Sequence, residues 1–438
     1  MSKLRNILRG LATTLIVIVF LAAWTLLPWI GVLAGAGALA AWLVLSRGGR
    51  RSLSVARIGV ASIPQRWGAT LVIVIGIAGV VGVVVALLAM AEGFRSMLTR
   101  TGSEDTAIVL RGGSQAELNS TITREQATLI EQAPGIARND RDEPIASAEL
   151  VLIANVPKKA SGTDANVEIR GVGPEAFELR GNVQIVDGRA FEPGLRELIA
   201  GEGALRQFAG LDPGLQIELG NQQWTIVGVF ASGDAHESEL WGNTETLASA
   251  YRRQGFQSVS VRLAEPGAID TFKAAVAADP RLKLDVSTTL EYYSKQSEQL
   301  TQLIRILGIT IGSIMAIGAI FGALNTMYAA VTARAREIAT LRAIGFRGVP
   351  VVVSVLLETM LLALIGGAFG GLVAWVVFNG YTVSTLGANF SQVVFDFRVS
   401  PELLWNGLKW ALAIGFVGGL FPAMRAARLP VATALREA

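Results

Sequence analysis

No charged residue occurs from Gly10 to Ser46. A membrane span needs about 20 apolar residues, so a run of this length suggests more than one crossing. Pro28 and Trp29 sit at its centre. Proline breaks a helix interior, and tryptophan favours the membrane interface. The pattern predicts a tight hairpin of two short spans, Leu11 to Leu27 and Trp29 to Leu45. An uncharged run predicts a span from Trp67 to Ala91, and further apolar runs predict spans between Arg305 and Arg334, from about Val349 to Phe378, and from Leu403 to Phe421, about six in all. Before the third of these, Leu53, Ala56, Val60 and Ile63 recur at helical spacing, with Arg57 and Arg66 off the stripe. That is the signature of an amphipathic helix lying on the membrane surface, which Pro64 interrupts.

Between Glu92 and Leu300 the periodicity changes. Thr106–Arg111 alternates as a strand does. Thr123–Gln132 reads as a helix, with Thr123 as N-cap and Gln126 three residues on, a capping-box spacing. Ile145–Asn155 and Ser258–Leu263 read as strands, Pro266–Ala278 as a helix, and Leu282–Val286 as a strand. Two strand–helix–strand units flanking an insertion predict a split ferredoxin-like subdomain. The insertion, about 165–251, is mainly β, with turn signals at Gly171-Val172-Gly173-Pro174, Asp187-Gly188 and Gly220-Asn221. The strand Gln223–Val229 is expected to turn at Gly228. The fold class is therefore an α-helical membrane protein with an α+β extracytoplasmic domain, large enough for two small cores.

Charge sets the orientation. The segments before the first span, between the second and third, between the fourth and fifth, and after the last hold 15 basic and 2 acidic residues. Basic short loops stay in the cytoplasm, and only the hairpin reading puts all of them on one side. Both termini are then cytoplasmic. Glu92–Leu300, with 20 basic and 30 acidic residues, lies outside.

Composition narrows the chemistry. The 438 residues are 51% hydrophobic and 17% charged, with mean hydropathy +0.47, against about 25% charged in a soluble domain. The 38 basic and 35 acidic residues nearly cancel, which gives no pointer to nucleic acid. There is no cysteine and a single histidine, His236, which excludes thiol chemistry and a His-pair zinc site. No Gly-Lys dipeptide occurs, so there is no P-loop, and any ATP hydrolysis falls to a partner. No nucleophile–base or metal motif emerges, and the chain is expected to be non-catalytic. Asp234, His236, Glu237 and Glu239 read as a solvated loop, and Asp140, Asp142 and Glu143 as a solvated turn. Arginine outnumbers lysine 31 to 7, which suggests a GC-rich bacterial genome.

The most informative segment is 333–347. It is helical in composition up to Gly345, a natural C-cap, with Ile338, Leu341 and Gly345 on one side and Arg334 and Arg342 off it. A short helix with apolar and basic faces suits docking into a partner's groove. In the next span Glu358 is either a buried contact or a residue reaching cytoplasmic water. Gly366-x-x-x-Gly370 and Gly367-x-x-x-Gly371 permit close helix packing.

These stretches resemble the coupling region and following span of FtsX/MacB-type ABC transporter permeases, the mechanotransmission or type VII family. Arg334, Arg336, Glu337, Ile338, Leu341, Arg342, Ala343 and Gly345 match the first motif, and Glu358, Gly366, Gly367 and Gly370 the second. Pro422, Ala426, Ala427, Pro430, Ala434, Leu435 and Arg436 match the family's tail. The resemblance implies four regions. Residues 1–51 are a transmembrane hairpin beyond the usual four-span pattern. Residues 52–98 are an elbow helix, core span and outward stalk. Residues 99–288 are a MacB-like periplasmic core domain. Residues 289–438 are a stalk and three spans, with the coupling loop at 333–347. It implies docking of that loop onto a cytoplasmic ABC ATPase in two copies, which holds the ATP and Mg. It also implies a second permease copy or paralogue, contact with membrane lipids and, in some members, a periplasmic adaptor and outer-membrane channel. The expected location is the bacterial inner membrane. The expected activity is export or extraction of a substrate driven by movement of the outer domain through stalks at Ala86–Leu98 and Thr289–Ile304. The alternative is an FtsX-like regulator that relays ATPase motion to a cell-wall hydrolase without transport.

Overall fold

A computed structural model describes residues 23–24, 27–265, 267–387 and 389–428. Most of the expected first span, the expected helix start at Pro266, and Pro430, Ala434, Leu435 and Arg436 lie outside the described residues. The chain forms two units: a helical unit of Met1–Met90, Ile304–Asn379 and Arg398–Ala438, and a sheet unit of Ala91–Leu303 and Gly380–Phe397.

Among the described residues, seven helices build or enter the helical unit: α1 (Trp29–Leu45), α2 (Arg47–Ala61), α3 (Trp67–Thr101), α4 (Thr289–Ala333), α5 (Ala335–Ala343), α6 (Gly348–Phe378) and α7 (Pro401–Arg428). Among the described residues, α3, α4, α6 and α7 are long and apolar enough to cross a membrane. α1 has 17 residues and bends by 95° into α2. The bend falls at Ser46, whose hydroxyl caps α2 by accepting from the Gly49 N–H at 2.8 Å. α2 ends before a 3₁₀ turn, Ile63–Arg66, where Pro64 stops regular helix. α3 and α4 run unbroken through both expected stalks.

The sheet unit is built on one sheet with strands β1 (Thr106–Arg111), β2 (Ala146–Pro157), β3 (Asp164–Val172), β4 (Gln184–Gly188), β5 (Glu197–Gly201), β6 (Gln216–Leu219), β7 (Gln222–Ala231), β8 (Glu239–Asn243), β9 (Ser258–Arg262) and β10 (Leu284–Thr288). Their order is β10-β1-β9-β2-β3-β8-β5-β7-β4, with β6 beside β7. β2 spans both halves: Ala146–Glu149 pair with β9, and Leu150–Pro157 pair with β3. Three buried clusters follow among the described residues of this unit. One gathers Val109, Ile130, Val259 and Phe272; a second gathers Leu150, Ile169, Phe208, Trp224 and Leu240; a smaller third gathers Val172, Ile199, Phe230 and Trp241. The capping box is present at Arg124–Glu131, with both reciprocal bonds between Thr123 and Gln126. β7 does not turn at Gly228. It runs on: Gly228 stays paired with Ile199 on one side and Gly188 on the other, and the register against β5 shifts one residue earlier, where Val227 is the bulged residue.

The segment between α6 and α7 forms a hairpin, β11 (Thr382–Leu386) and β12 (Gln392–Asp396), that groups with the sheet unit. Phe395 packs edge-on against Phe94, with centroids 5.4 Å apart. At Gly93 a Cβ would strike the Asp396 carbonyl oxygen, so only glycine lets the hairpin lie this close.

Asp234, His236 and Glu239 are not solvated. His236 is 2% exposed, with Nδ1 at 3.1 Å from Asp234 Oδ1. Asp234 also accepts from the Ser232 hydroxyl at 2.6 Å and from Asn182 Nδ2 at 2.9 Å. Burial is tolerated because each carboxylate is partnered. Asp140, Asp142 and Glu143 are exposed, as expected.

Candidate coupling site

Two buried ion clusters stand out, one in each unit. In the helical unit, α4 ends at Ala333 and α5 begins at Ala335. Arg334, the residue between them, is the N-cap. The end of α5 is closed by a Schellman motif: Phe346 N–H bonds Leu341 O at 3.1 Å and Gly345 N–H bonds Arg342 O at 3.2 Å, with Gly345 at φ +101°. A side chain at Gly345 would be strained there.

The break at Arg334 frees its side chain to reach α6. Nη1 lies 3.3 Å from Glu358 Oε2, and Nε lies 3.0 Å from Glu337 Oε2. The other Glu358 oxygen lies 3.0 Å from Arg66 Nη2, which also donates to the Ser62 hydroxyl at 2.8 Å. Glu358 is 3% exposed. A lone carboxylate within a span costs roughly 2.5–3.5 kcal/mol, and here two guanidiniums face it. Glu358 is thus a buried contact and not a residue reaching for water. α2 comes close because of Gly59: a Cβ there would sit 3.0 Å from Glu358 Oε2 and 3.2 Å from Arg334 Nη1.

Of the residues singled out by sequence, the structure brings Arg334, Glu337 and Glu358 together. Ile338 is buried against the helical unit, Leu341 and Arg342 are half-buried, and Arg336, Ala343 and Gly345 are exposed. Ile344, which sequence reasoning passed over, is 68% exposed at the tip. Arg66 was also missed as a contact. Its signal was that Glu358 is the one acid of its span, and an unpaired acid there needs a cation.

The α6 glycines set where α6 meets its neighbours. A Cβ at Gly366 would lie 2.9 Å from the Val74 carbonyl oxygen, and one at Gly370 would strike the backbone of Ala78, both on α3. A Cβ at Gly367 would lie 2.6 Å from Ala411 Cβ on α7. Adjacent glycine rows therefore serve two different helix contacts.

In the sheet unit, Arg170 is 2% exposed and faces four carboxylates. Its nitrogens lie 2.8 Å from Glu117 Oε1, 2.9 Å from Glu149 Oε2, 2.9 Å from Glu168 Oε1 and 2.8 Å from Glu239 Oε2. Arg180 pairs Glu149 through both nitrogens, at 2.6 and 2.9 Å. Burial works against ionisation of Glu149, but Arg180 and Arg170 outweigh it and hold its pKa at about 2. Glu168 is pushed up to about 7, by burial first and then by Glu239, against the pull of Arg170. Glu168 also anchors the hairpin: Asn389 Nδ2 and the Ser391 hydroxyl donate to its Oε2 at 3.1 and 3.0 Å. Among the described residues, no group of three or more acids or histidines is arranged to hold a metal.

Residues 70–279 match the MacB-like periplasmic core domain, and residues 309–431 match the FtsX-like permease C-terminal region. The macrolide export ATP-binding/permease protein MacB of Vibrio parahaemolyticus is 26% identical over 399 residues, 80% of this chain and 59% of that protein. The protein of the same name from Neisseria gonorrhoeae is 25% identical over 403 residues, again 80% and 59%. The chain thus spans about 60% of the length of these relatives and covers their permease part. Among solved structures, it is similar to the extracellular domain of the ABC-type transporter YknZ from Gram-positive bacteria (18% identity, TM-score 0.33, 42% of this chain and 100% of that one). It is also similar to the periplasmic region of MacB from Actinobacillus actinomycetemcomitans (13%, TM-score 0.34, 47% and 94%). With a MacB-like core domain followed by an FtsX-like C-terminal region, the chain belongs to the FtsX/MacB-type permeases of ABC transporters.

Proposed function

We propose that this chain is a permease subunit that couples ATP hydrolysis by a separate cytoplasmic ATPase to movement of its periplasmic domain, driving export or extraction of a substrate. The observation that carries the reading is the Arg334–Glu358–Arg66 contact. It ties the residue just before α5 to the first turns of a spanning helix and to the elbow, so a push on α5 reaches α6 and α2 together. α5 docks on the ATPase through its exposed tip, Ala343, Ile344 and Gly345, and through exposed Arg336 in its first turn, and transmits through its buried side, Ile338. The hydrolysing subunits, with ATP and Mg, belong to the partner. The working form is a dimer with cytoplasmic termini. The β10-β1-β9-β2 quartet is read as the split ferredoxin-like subdomain and β3–β8 as its β insertion.

The test uses the full chain, which lacks cysteine. Ala343→Cys should react with a membrane-impermeant thiol reagent only in inverted vesicles, and the partner ATPase should protect it. Labelling in intact spheroplasts would contradict the reading.

A further inference from the structure

We propose that a cavity between α1, α2, α6 and α7 holds one anionic phospholipid, with its acyl tails in the cavity and its phosphate on Arg57. The cavity is about 930 Å³, and its lining is apolar except for Arg57. Leu39 of α1, Leu53 and Val60 of α2, Leu361 of α6 and Phe416 of α7 form its walls. Water has almost no polar partner there, so it does not fill such a space. Hydrocarbon does.

The charge on α2 selects the headgroup. Arg47, Arg50, Arg51 and Arg57 are exposed, the helix carries no acid, and none of the four has an ion-pair partner among the described residues. One arginine at an apolar cavity between spans, on a helix that carries three more exposed arginines, is the chemistry that takes an anionic lipid headgroup. A free phosphate satisfies the charge but not the walls, and a zwitterionic lipid satisfies the walls but not the charge.

α2 has two working faces. Leu53, Arg57 and Val60 line the cavity, while Gly59 lies against the Glu358–Arg334 pair. Lipid in the cavity therefore braces the helix on which the coupling contact rests. Placing this site in the cytoplasmic leaflet rests on the coupling reading; the binding itself does not.

The test is native mass spectrometry of the purified full chain with phosphatidylglycerol or phosphatidylcholine at equal concentration. Wild type should retain phosphatidylglycerol in preference, and added inorganic phosphate should not displace it. One Arg near the surface is worth about fivefold, so Arg57→Gln should lower the preference by about that factor. Ala36→Trp, which fills the cavity, should lower retention of both lipids; Arg138→Gln, in the sheet unit, should match wild type. Equal retention of the two lipids, or wild-type behaviour of both Arg57→Gln and Ala36→Trp, overturns the proposal. So does full cross-linking of a cysteine placed within residues 11–22 to Leu361→Cys, because the chain's own N-terminal segment then fills the cavity. Lost lipid preference with normal ATPase stimulation separates this site from the coupling reading.

Discussion

Arg334 Nη1 lies 3.3 Å from Glu358 Oε2, across a 24-residue separation that takes in α5 and the first turns of α6. The pair makes the break between α4 and α5 a fixed joint. Removing one partner leaves the other charge buried beside Arg66. Breaking a buried pair from one side costs about 3–5 kcal/mol in soluble proteins. In a double-mutant cycle, Arg334→Gln and Glu358→Gln should together cost less than their sum by about 0.5–3 kcal/mol. Additive losses in thermal unfolding would mean the contact is not formed.

The glycine rows predict a contrast. Gly370→Leu should prevent α3 and α6 from approaching and lower the yield of folded protein, because a Cβ already strikes Ala78. Gly76→Leu meets nothing within 4 Å and should be tolerated. Size-exclusion profiles of the two variants decide this.

The tip and the buried side of α5 should separate. Ile344→Asp leaves the fold intact, because the side chain is 68% exposed, but abolishes co-purification of the ATPase. Ile338→Asp buries a charge and should destabilise the helical unit itself. If Ile344→Asp still retains the ATPase, docking lies elsewhere.

Glu168 gives the sheet unit a pH dependence of known sign. Its folded pKa is about 7 against an ordinary value of 4.5. Between these values the folded chain keeps a proton that the unfolded chain has released, so stability falls as pH rises. The limiting slope is about 1.4 kcal/mol per pH unit. Glu149 and Asp234, both held at about 2, act in the opposite direction, but only below their ordinary values of 4.5 and 3.8. Between pH 5.5 and 8 the unfolding temperature of the full chain should fall in wild type and stay flatter in Glu168→Gln. Parallel slopes would contradict the assignment.

Arg170 is the counter-ion that sequence could not supply. Arg170→Met leaves Glu117, Glu168 and Glu239 without their guanidinium and should unfold the sheet unit at neutral pH, which circular dichroism of the full chain would detect.

Much of the fold was legible because its causes are local. The Thr123–Gln126 box, the short β-branched and apolar run of Thr106–Arg111 and the long apolar runs within α3 and α6 are set within a few residues of themselves. What escaped depends on distant partners. The loop with Asp234, His236 and Glu239 looked solvated because Arg170 lies 69 residues before Glu239 in the chain. The hairpin at 382–396 offered no strong pattern of its own; it is held by Glu168, more than 220 residues away. Arg66 looked like a topology charge because the acid it serves, Glu358, is 292 residues on. Periodicity reports which face is buried, and it is silent on which charges will meet.

The most direct measurement is ATP hydrolysis by the partner ATPase reconstituted in liposomes with wild-type chain or with Glu358→Gln. The account predicts that the variant inserts and binds the ATPase as wild type does, yet leaves hydrolysis at the rate of the ATPase alone. Full stimulation by Glu358→Gln would contradict it.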